Sequence, residues 1–186
     1  MRLLFIDTET GGIDPQKHAL LSIGLVVWDN GAIIASKEIF IKQGNKSITQ
    51  RALNINKIDC AQHNQQAVTQ ITAIKNILDF IKVYFGKEKA TCAGHNVSFD
   101  ICFVKQMFKN NRRSFDNYIS HRLIDTSSIL SFLYLSGKMP YYISSSAKAF
   151  DYYGISVTGR HTAIGDAIAT VELFEKLLSI VRNNNE

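Results

Sequence analysis

An apolar run that ends in two acids opens the sequence and limits what the chain can fold into. Leu3–Ile6 are consecutive aliphatic and aromatic residues, a composition typical of a buried strand. Asp7 and Glu9 follow two positions apart, so their side chains share one face if the strand continues to Glu9. Carboxylates held side by side repel each other unless a cation lies between them or one keeps its proton. The segment therefore predicts either a cation site at a strand end or a solvated polar turn at Gly11–Gly12.

Composition places the chain among globular proteins with room for one core. It has 186 residues, of which 46% are hydrophobic and 20% charged. No apolar run approaches the roughly 20 residues of a membrane helix, and the chain opens in a strand pattern, so we expect a cytoplasmic protein with no membrane partner. The net charge of +5 is compatible with a polyanionic partner such as nucleic acid.

The three cysteines indicate a reducing compartment. Cys60, Cys92 and Cys102 are odd in number and show no metal-binding spacing. Each lies near apolar residues, so we predict plain buried thiols without a redox or zinc role.

The order of the apolar segments predicts one α/β domain over residues 1–182, followed by a frayed tail at 183–186. Two strands at 19–28 and 32–41, joined by the turn Asp29–Gly31, would form an antiparallel meander with the first strand. Further segments are predicted as buried strands at 90–94 and 122–125 and as helices at 49–54, 69–85, 97–110, 126–135, 144–153 and 163–181. A meander followed by alternating helices and strands implies a mixed sheet covered by helices.

Two more acids lie where apolar neighbours make a charge costly. Asp100 and Asp166 each stand early in a predicted helix, where either alone would complement the helix dipole. Together with the two strand acids they make four carboxylates, a set that can hold two hard divalent cations through oxygen. Paired ions of this kind recur in phosphodiester cleavage. His161 lies five residues before Asp166, and because imidazole exchanges protons near neutral pH it is a candidate general base.

Three motifs carry these residues in a fixed order. They are D-x-E at Asp7 and Glu9, H-N-x-x-F-D at His95–Asp100, and H-x4-D at His161–Asp166. In this order the sequence resembles the DnaQ-like family of DEDD exonucleases, in the DEDDh subgroup whose third motif contains histidine, from Leu3 to about Leu178. The resemblance implies a ribonuclease H-like fold with a mixed five-stranded sheet whose first three strands are antiparallel. It also implies removal of nucleoside 5′-monophosphates from 3′ ends with two Mg²⁺ or Mn²⁺ ions.

The resemblance also implies a role for each acid. Asp7 would bridge both ions, Glu9 and Asp166 would bind the ion that activates water, and Asp100 would hold the other ion. His161 would accept the proton of the attacking water. These five residues are the predicted catalytic set.

Five further residues are candidates for substrate contacts by the same resemblance. Thr8 and Thr10 would contact the 3′-terminal nucleotide through their backbone or hydroxyl groups, and Asn96 would lie near the scissile phosphate. Ile13 and Phe103 would wedge against or stack on terminal bases. Phe103 on an amphipathic helix is equally compatible with a place in the core, and Ile13 with a role in closing its loop.

The sugar of the substrate is not encoded in any motif, because discrimination depends on contacts to a 2′-hydroxyl. We predict single-stranded DNA or duplex 3′ ends as substrate, with ribonuclease T-like trimming of RNA as the alternative. A proofreading subunit that works with a polymerase and a non-catalytic nucleic-acid-binding module are further alternatives. A homodimer is compatible with each of them.

Overall fold

Five strands form one mixed sheet at the centre of the molecule. The computed structural model describes residues 1–159 and 161–182, so the predicted tail at 183–186 lies outside the described residues. The strands are β1 (Arg2–Thr10), β2 (Leu20–Asp29), β3 (Ala32–Phe40), β4 (Ala90–Gly94) and β5 (Ile119–Asp125), in the spatial order β3-β2-β1-β4-β5.

The strand directions confirm the predicted meander. β1 pairs with β2 and β2 with β3 in antiparallel register, while β4 is parallel to both β1 and β5. The carboxyl ends of β1, β4 and β5 therefore meet at one edge of the sheet, where the loops that follow them can bring side chains together.

Seven helices are seen in the described part of the chain. They are α1 (Gln50–Asn56), α2 (Cys60–Gln66), α3 (Gln70–Phe85), α4 (Val97–Asn110), α5 (Thr126–Leu135), α6 (Ser146–Tyr152) and α7 (Ala163–Arg182). All but α2 were predicted. That helix is polar, and it is started by Asp59, whose side chain accepts hydrogen bonds from the backbone N–H groups of Ala61 and Gln62. Among the helices that the structure describes, we find no candidate for a transmembrane segment.

Alternation along β1 separates the core into two sides. Leu4 and Ile6 point to the side covered by α3 and α4, whereas Leu3 and Phe5 point to the side covered by α7. Helices α5 and α6 pack with α7 in a further apolar cluster. Because the alternation continues past Ile6, Asp7 and Glu9 face α7, and Thr8 faces α4.

Two burial predictions were wrong. β5 was expected to be buried, yet Arg122 and Leu123 are exposed because β5 is an edge strand with a single neighbour. Of the three cysteines, only Cys92, in the central strand β4, is buried. Cys60 and Cys102 lie on outward faces of α2 and α4 and are exposed.

Candidate active site

Three carboxylates meet at the end of β1. The strand continues through Glu9, so Asp7 and Glu9 share a face, and Asp166 approaches them from the first turn of α7. One carboxylate oxygen from each of the three lies within 4.8 Å of the others, and each residue is half-buried. An all-oxygen set of this charge is the kind that hard divalent cations prefer. The three side chains could thus hold a metal ion.

A glycine in β2 determines how closely α7 approaches. Gly24 is the register partner of Asp7, and a methyl group built on its Cα would overlap the backbone of Ala163. The start of α7 therefore rests directly on the sheet beside Asp7. The hydroxyl of Thr162 accepts a hydrogen bond from the N–H of Gly165 at 3.1 Å, as an N-cap residue does. A side chain at position 24 would displace the segment that carries Asp166.

Asp100 lies on the α4 side and is not one of the three clustered acids. It is only 5% exposed, and the Thr8 hydroxyl donates a 2.6 Å hydrogen bond to its Oδ1. Burial raises the pKa of Asp100 to about 7, the Thr8 hydrogen bond opposes the rise, and the negative charge of Asp125 adds to it. Without a cation this carboxyl holds a proton over much of the acidic range.

We expect that proton to make the stability of the metal-free protein depend on pH. The ordinary pKa of aspartate is 3.8 and that of folded Asp100 is about 7, so the folded state binds the extra proton between these values. The contribution of this proton to the free energy of unfolding is complete below pH 3.8. It is lost as pH rises through 7, and the total loss is about 4 kcal/mol. Urea unfolding in EDTA at pH 5 and pH 8 measures the part of this loss above pH 5, about 3 kcal/mol.

The matched variants for this experiment are Asp100→Asn and Asp151→Asn. Asparagine at position 100 cannot ionise, so we expect its unfolding free energy to fall less between the two pH values than that of the wild type. Asp151 is exposed on α6, and its replacement should leave the wild-type difference intact. An equal fall in Asp100→Asn and the wild type would contradict the prediction.

His161 lies two residues before the first residue of α7, with Thr162 between them. It is half-buried, and its φ of +66° places it in the left-handed region that non-glycine residues seldom adopt. Such backbone conformations cost roughly 1–3 kcal/mol and persist where the surroundings enforce them. Its neighbour Arg160 lies outside the described residues.

A fifth acid, which the sequence analysis missed, supports the second motif. Asp125 Oδ1 accepts hydrogen bonds from the backbone N–H groups of Asn96 and Ser127, both at 2.9 Å. Asn96 is exposed in the left-handed region at φ +57°, and His95 Nδ1 lies 3.0 Å from the Thr126 hydroxyl. Burial lowers the pKa of His95, and Asp125 opposes this. The sequence feature that could have identified Asp125 is D-T-S at the start of α5, since aspartate before a helix is typical of an N-cap residue.

A cavity of about 480 Å³ opens beside the acids. Glu9 contributes to its wall, and the exposed side chain of Ile13 lies on its rim. The complete lining is Thr8, Glu9, Thr10, Gly12, Ile13, His18, Thr49, Arg51, Ala52, Ile55, Asn56 and Phe99. The volume lies within the range of small-molecule sites.

The structure places Phe103, one of the predicted substrate-binding residues, away from the cavity. Phe103 is 2% exposed and packed in the core, so its ring is not at the cavity surface. Phe99, one helical turn earlier, lines the cavity instead, with the two ring centroids 5.1 Å apart. The Thr8 hydroxyl donates to Asp100, and the Thr10 hydroxyl donates to the carbonyl of Gly12 at 2.7 Å. Both hydroxyl protons are therefore used in hydrogen bonds within the protein.

Two curated proteins are similar to the chain over most of its length. The chain is 29% identical over 185 residues to "Ribonuclease T" of Wigglesworthia glossinidia brevipalpis, covering 94% of this chain and 83% of that protein. It is 25% identical to "DNA polymerase III subunit epsilon" of Treponema pallidum, covering 93% of this chain and 74% of that protein.

Solved structures share the fold. E. coli exonuclease I in complex with a dT13 oligonucleotide superposes with a TM-score of 0.82 at 17% identity, covering 99% of this chain and 42% of that one. The nuclease domain of 3′hExo, described as a DEDDh family member bound to rAMP, superposes with a TM-score of 0.77 at 15% identity. The match covers 96% of this chain and 92% of that one. The ribonuclease H-like fold predicted from the sequence is confirmed.

Most of the chain matches the model of one protein family. The model for the exonuclease family named after RNase T matches residues 4–174, which include all three motifs. The prediction that the chain is a nuclease enzyme is thereby confirmed, and the chain belongs to the RNase T exonuclease family.

Proposed function

We propose that the chain is a two-metal-dependent 3′-5′ exonuclease that releases nucleoside 5′-monophosphates from single-stranded DNA. The observation that carries this proposal is the convergence of Asp7, Glu9 and Asp166 within 4.8 Å beside a cavity large enough for a nucleotide. Membership of the exonuclease family supports the same reaction class.

The acids divide between two ion sites. Asp7, Glu9 and Asp166 would hold one ion, and Asp100 would hold a second together with Asp7. Their oxygen-only donors favour Mg²⁺ or Mn²⁺ over softer metals. When bound, the pair supplies an activated water and stabilises the leaving oxygen. Ionised Asp100 is costly in its buried position, so a cation beside it offsets that cost.

His161 acts as the general base in this proposal. It lies five residues before Asp166, next to the start of the helix that carries this acid. The imidazole accepts the proton of the attacking water as the phosphodiester bond breaks. The enforced left-handed backbone at His161 fits a residue held for a specific role.

The 3′-terminal nucleotide occupies the cavity. Phe99 and Ile13 offer apolar surface for the base, and Thr8 and Thr10 line the wall on either side of Glu9 in sequence. The exposed amide of Asn96, at the end of β4, is available to the phosphate backbone.

The aromatic assignment can be tested with two phenylalanine variants. Phe99→Ala should raise KM by about 5- to 150-fold, because stacking on an aromatic ring contributes about 1–3 kcal/mol per base. Phe103→Ala should lower the free energy of unfolding by about 3–5 kcal/mol, since it opens a core cavity, while the folded variant keeps its KM. Steady-state kinetics and urea unfolding of both proteins give the comparison, and the reverse pattern would restore the stacking role to Phe103.

RNA is the second candidate substrate, because the relative with 29% identity over most of both chains is a ribonuclease T. The similarity to an epsilon subunit similarly keeps polymerase association open as an alternative. A homodimer, a cytoplasmic location and the domain limits 1–182 stay predictions from the sequence.

The deciding experiment uses single-stranded DNA and RNA of one sequence, each labelled at the 5′ end or at the 3′ end. We expect 5′-labelled strands to shorten stepwise with Mg²⁺ or Mn²⁺, and 3′ label to appear at once as mononucleotide. EDTA should stop both reactions, and DNA should be degraded faster. Faster loss of RNA would favour the ribonuclease T-like alternative, and no hydrolysis with either metal would favour the binding module.

A further inference from the structure

Three residues line up across the sheet beneath the start of α7. Asp7 in β1 pairs with Gly24 in β2, and Gly24 pairs with Glu38 in β3. Register partners point to the same face, so all three lie on the side that α7 covers. The first turn of the helix rests on Gly24, with Asp7 on one side of it and Glu38 on the other.

The Glu38 carboxylate faces the helix end. It is half-buried, and burial raises its pKa, while the backbone N–H groups of Ile164 and Ala163 act in the opposite direction. Its Oε1 is buried without a hydrogen-bond partner among the residues that the structure describes. A carboxylate kept in such a place needs a compensating interaction.

The start of α7 opposes that cost, because the backbone N–H groups of Ile164 and Ala163 act to lower the pKa of Glu38. The first N–H groups of a helix have no intrahelical acceptor, and the helix dipole concentrates positive potential there. Thr162 satisfies the N–H of Gly165, which leaves those of Ala163 and Ile164 for another acceptor. The carboxylate of Glu38 is a negatively charged acceptor for these two N–H groups, and the pairing of β3 with β2 fixes its position.

We propose that Glu38 is a positioning residue that fixes the start of α7, and through it Asp166 and His161, against the sheet. Ile164 is two residues before Asp166 and three after His161, so a displaced first turn moves both. This proposal rests on the exonuclease function proposed above. Glu38 is absent from the cavity lining, so its effect should fall on kcat and metal affinity and leave KM unchanged.

The test compares Glu38→Ala, Glu38→Gln and Glu172→Gln. Glu38→Ala removes the acceptor, and we expect kcat and Mn²⁺ affinity each to fall by about 10- to 100-fold, the range for groups that orient metal ligands. Glutamine keeps an acceptor oxygen of the same shape, so Glu38→Gln should recover most of both values. Glu172 is an exposed acid farther along α7, and its replacement should match the wild type.

Two measurements in this test do not depend on hydrolysis. Mn²⁺ affinity is measured by electron paramagnetic resonance without substrate, and hydrogen exchange of the first turn of α7 should be faster in Glu38→Ala alone. Unchanged kcat and Mn²⁺ affinity in Glu38→Ala, a change confined to KM, or equal losses in both Glu38 variants would overturn the proposal. If the wild type itself failed to shorten 3′ ends, the proposed function would fail, while Mn²⁺ affinity and exchange would still decide the role of Glu38.

Discussion

Replacing Asp166 with alanine should lower kcat by on the order of 10³-fold. The variant leaves two of the three clustered carboxylates, and charge stabilisation by a correctly held metal ion contributes several kcal/mol to the transition state. The same change removes one of three mutually repelling charges. Unfolding of the metal-free variant is therefore measured as well, so that lost activity can be separated from lost stability.

Single-turnover rates, Mn²⁺ binding and urea unfolding in EDTA together measure these effects. Glu172→Ala makes the same chemical change at an exposed position of α7 and should retain wild-type rates. Wild-type activity in Asp166→Ala would remove this residue from the site. A large loss of stability in EDTA would show that it has a structural role instead.

The second large effect is expected for His161→Ala. Loss of a general base lowers turnover by roughly 10²- to 10⁴-fold. Because His161 is not one of the clustered acids, the affinity for Mn²⁺ should remain close to that of the wild type. This combination of low kcat and intact metal binding separates proton transfer from metal coordination.

His121→Ala is the matched control, since this histidine is exposed on the edge strand β5. Its kcat should equal that of the wild type. If His161→Ala lost Mn²⁺ affinity in parallel with kcat, His161 would be acting on the metal site, and its assignment as the base would be wrong.

Local patterns predicted much of the fold. The hairpin turn at Asp29–Gly31 and the apolar runs around it give β2 and β3, and Gly86 correctly ends α3. The spacing of Asp7 and Glu9 placed both on one face because strand geometry repeats every two residues. These features depend on neighbours in sequence, so the sequence contains the information needed to identify them.

Tertiary packing decides the features that were missed. Phe99 and Phe103 are four residues apart on one helix face, so periodicity alone cannot tell which ring enters the core. Glu38 lies in β3, an edge strand whose residues are mostly exposed or half-buried. It lies close to α7 only because Gly24 lets the helix rest on the sheet. The hydrogen bond between Asp125 and the backbone of Asn96 likewise forms because β4 and β5 pair in parallel.

The three clustered acids come from the first strand of the fold and from its last helix, and this has a consequence during translation. Asp7 and Glu9 leave the ribosome early, whereas His161 and Asp166 follow only after the other strands have been made. A partly synthesised chain therefore has an incomplete set of the side chains that are proposed to bind metal. Under that proposal, hydrolysis requires α7 to dock on the sheet, and we expect a chain that ends before residue 161 to be inactive.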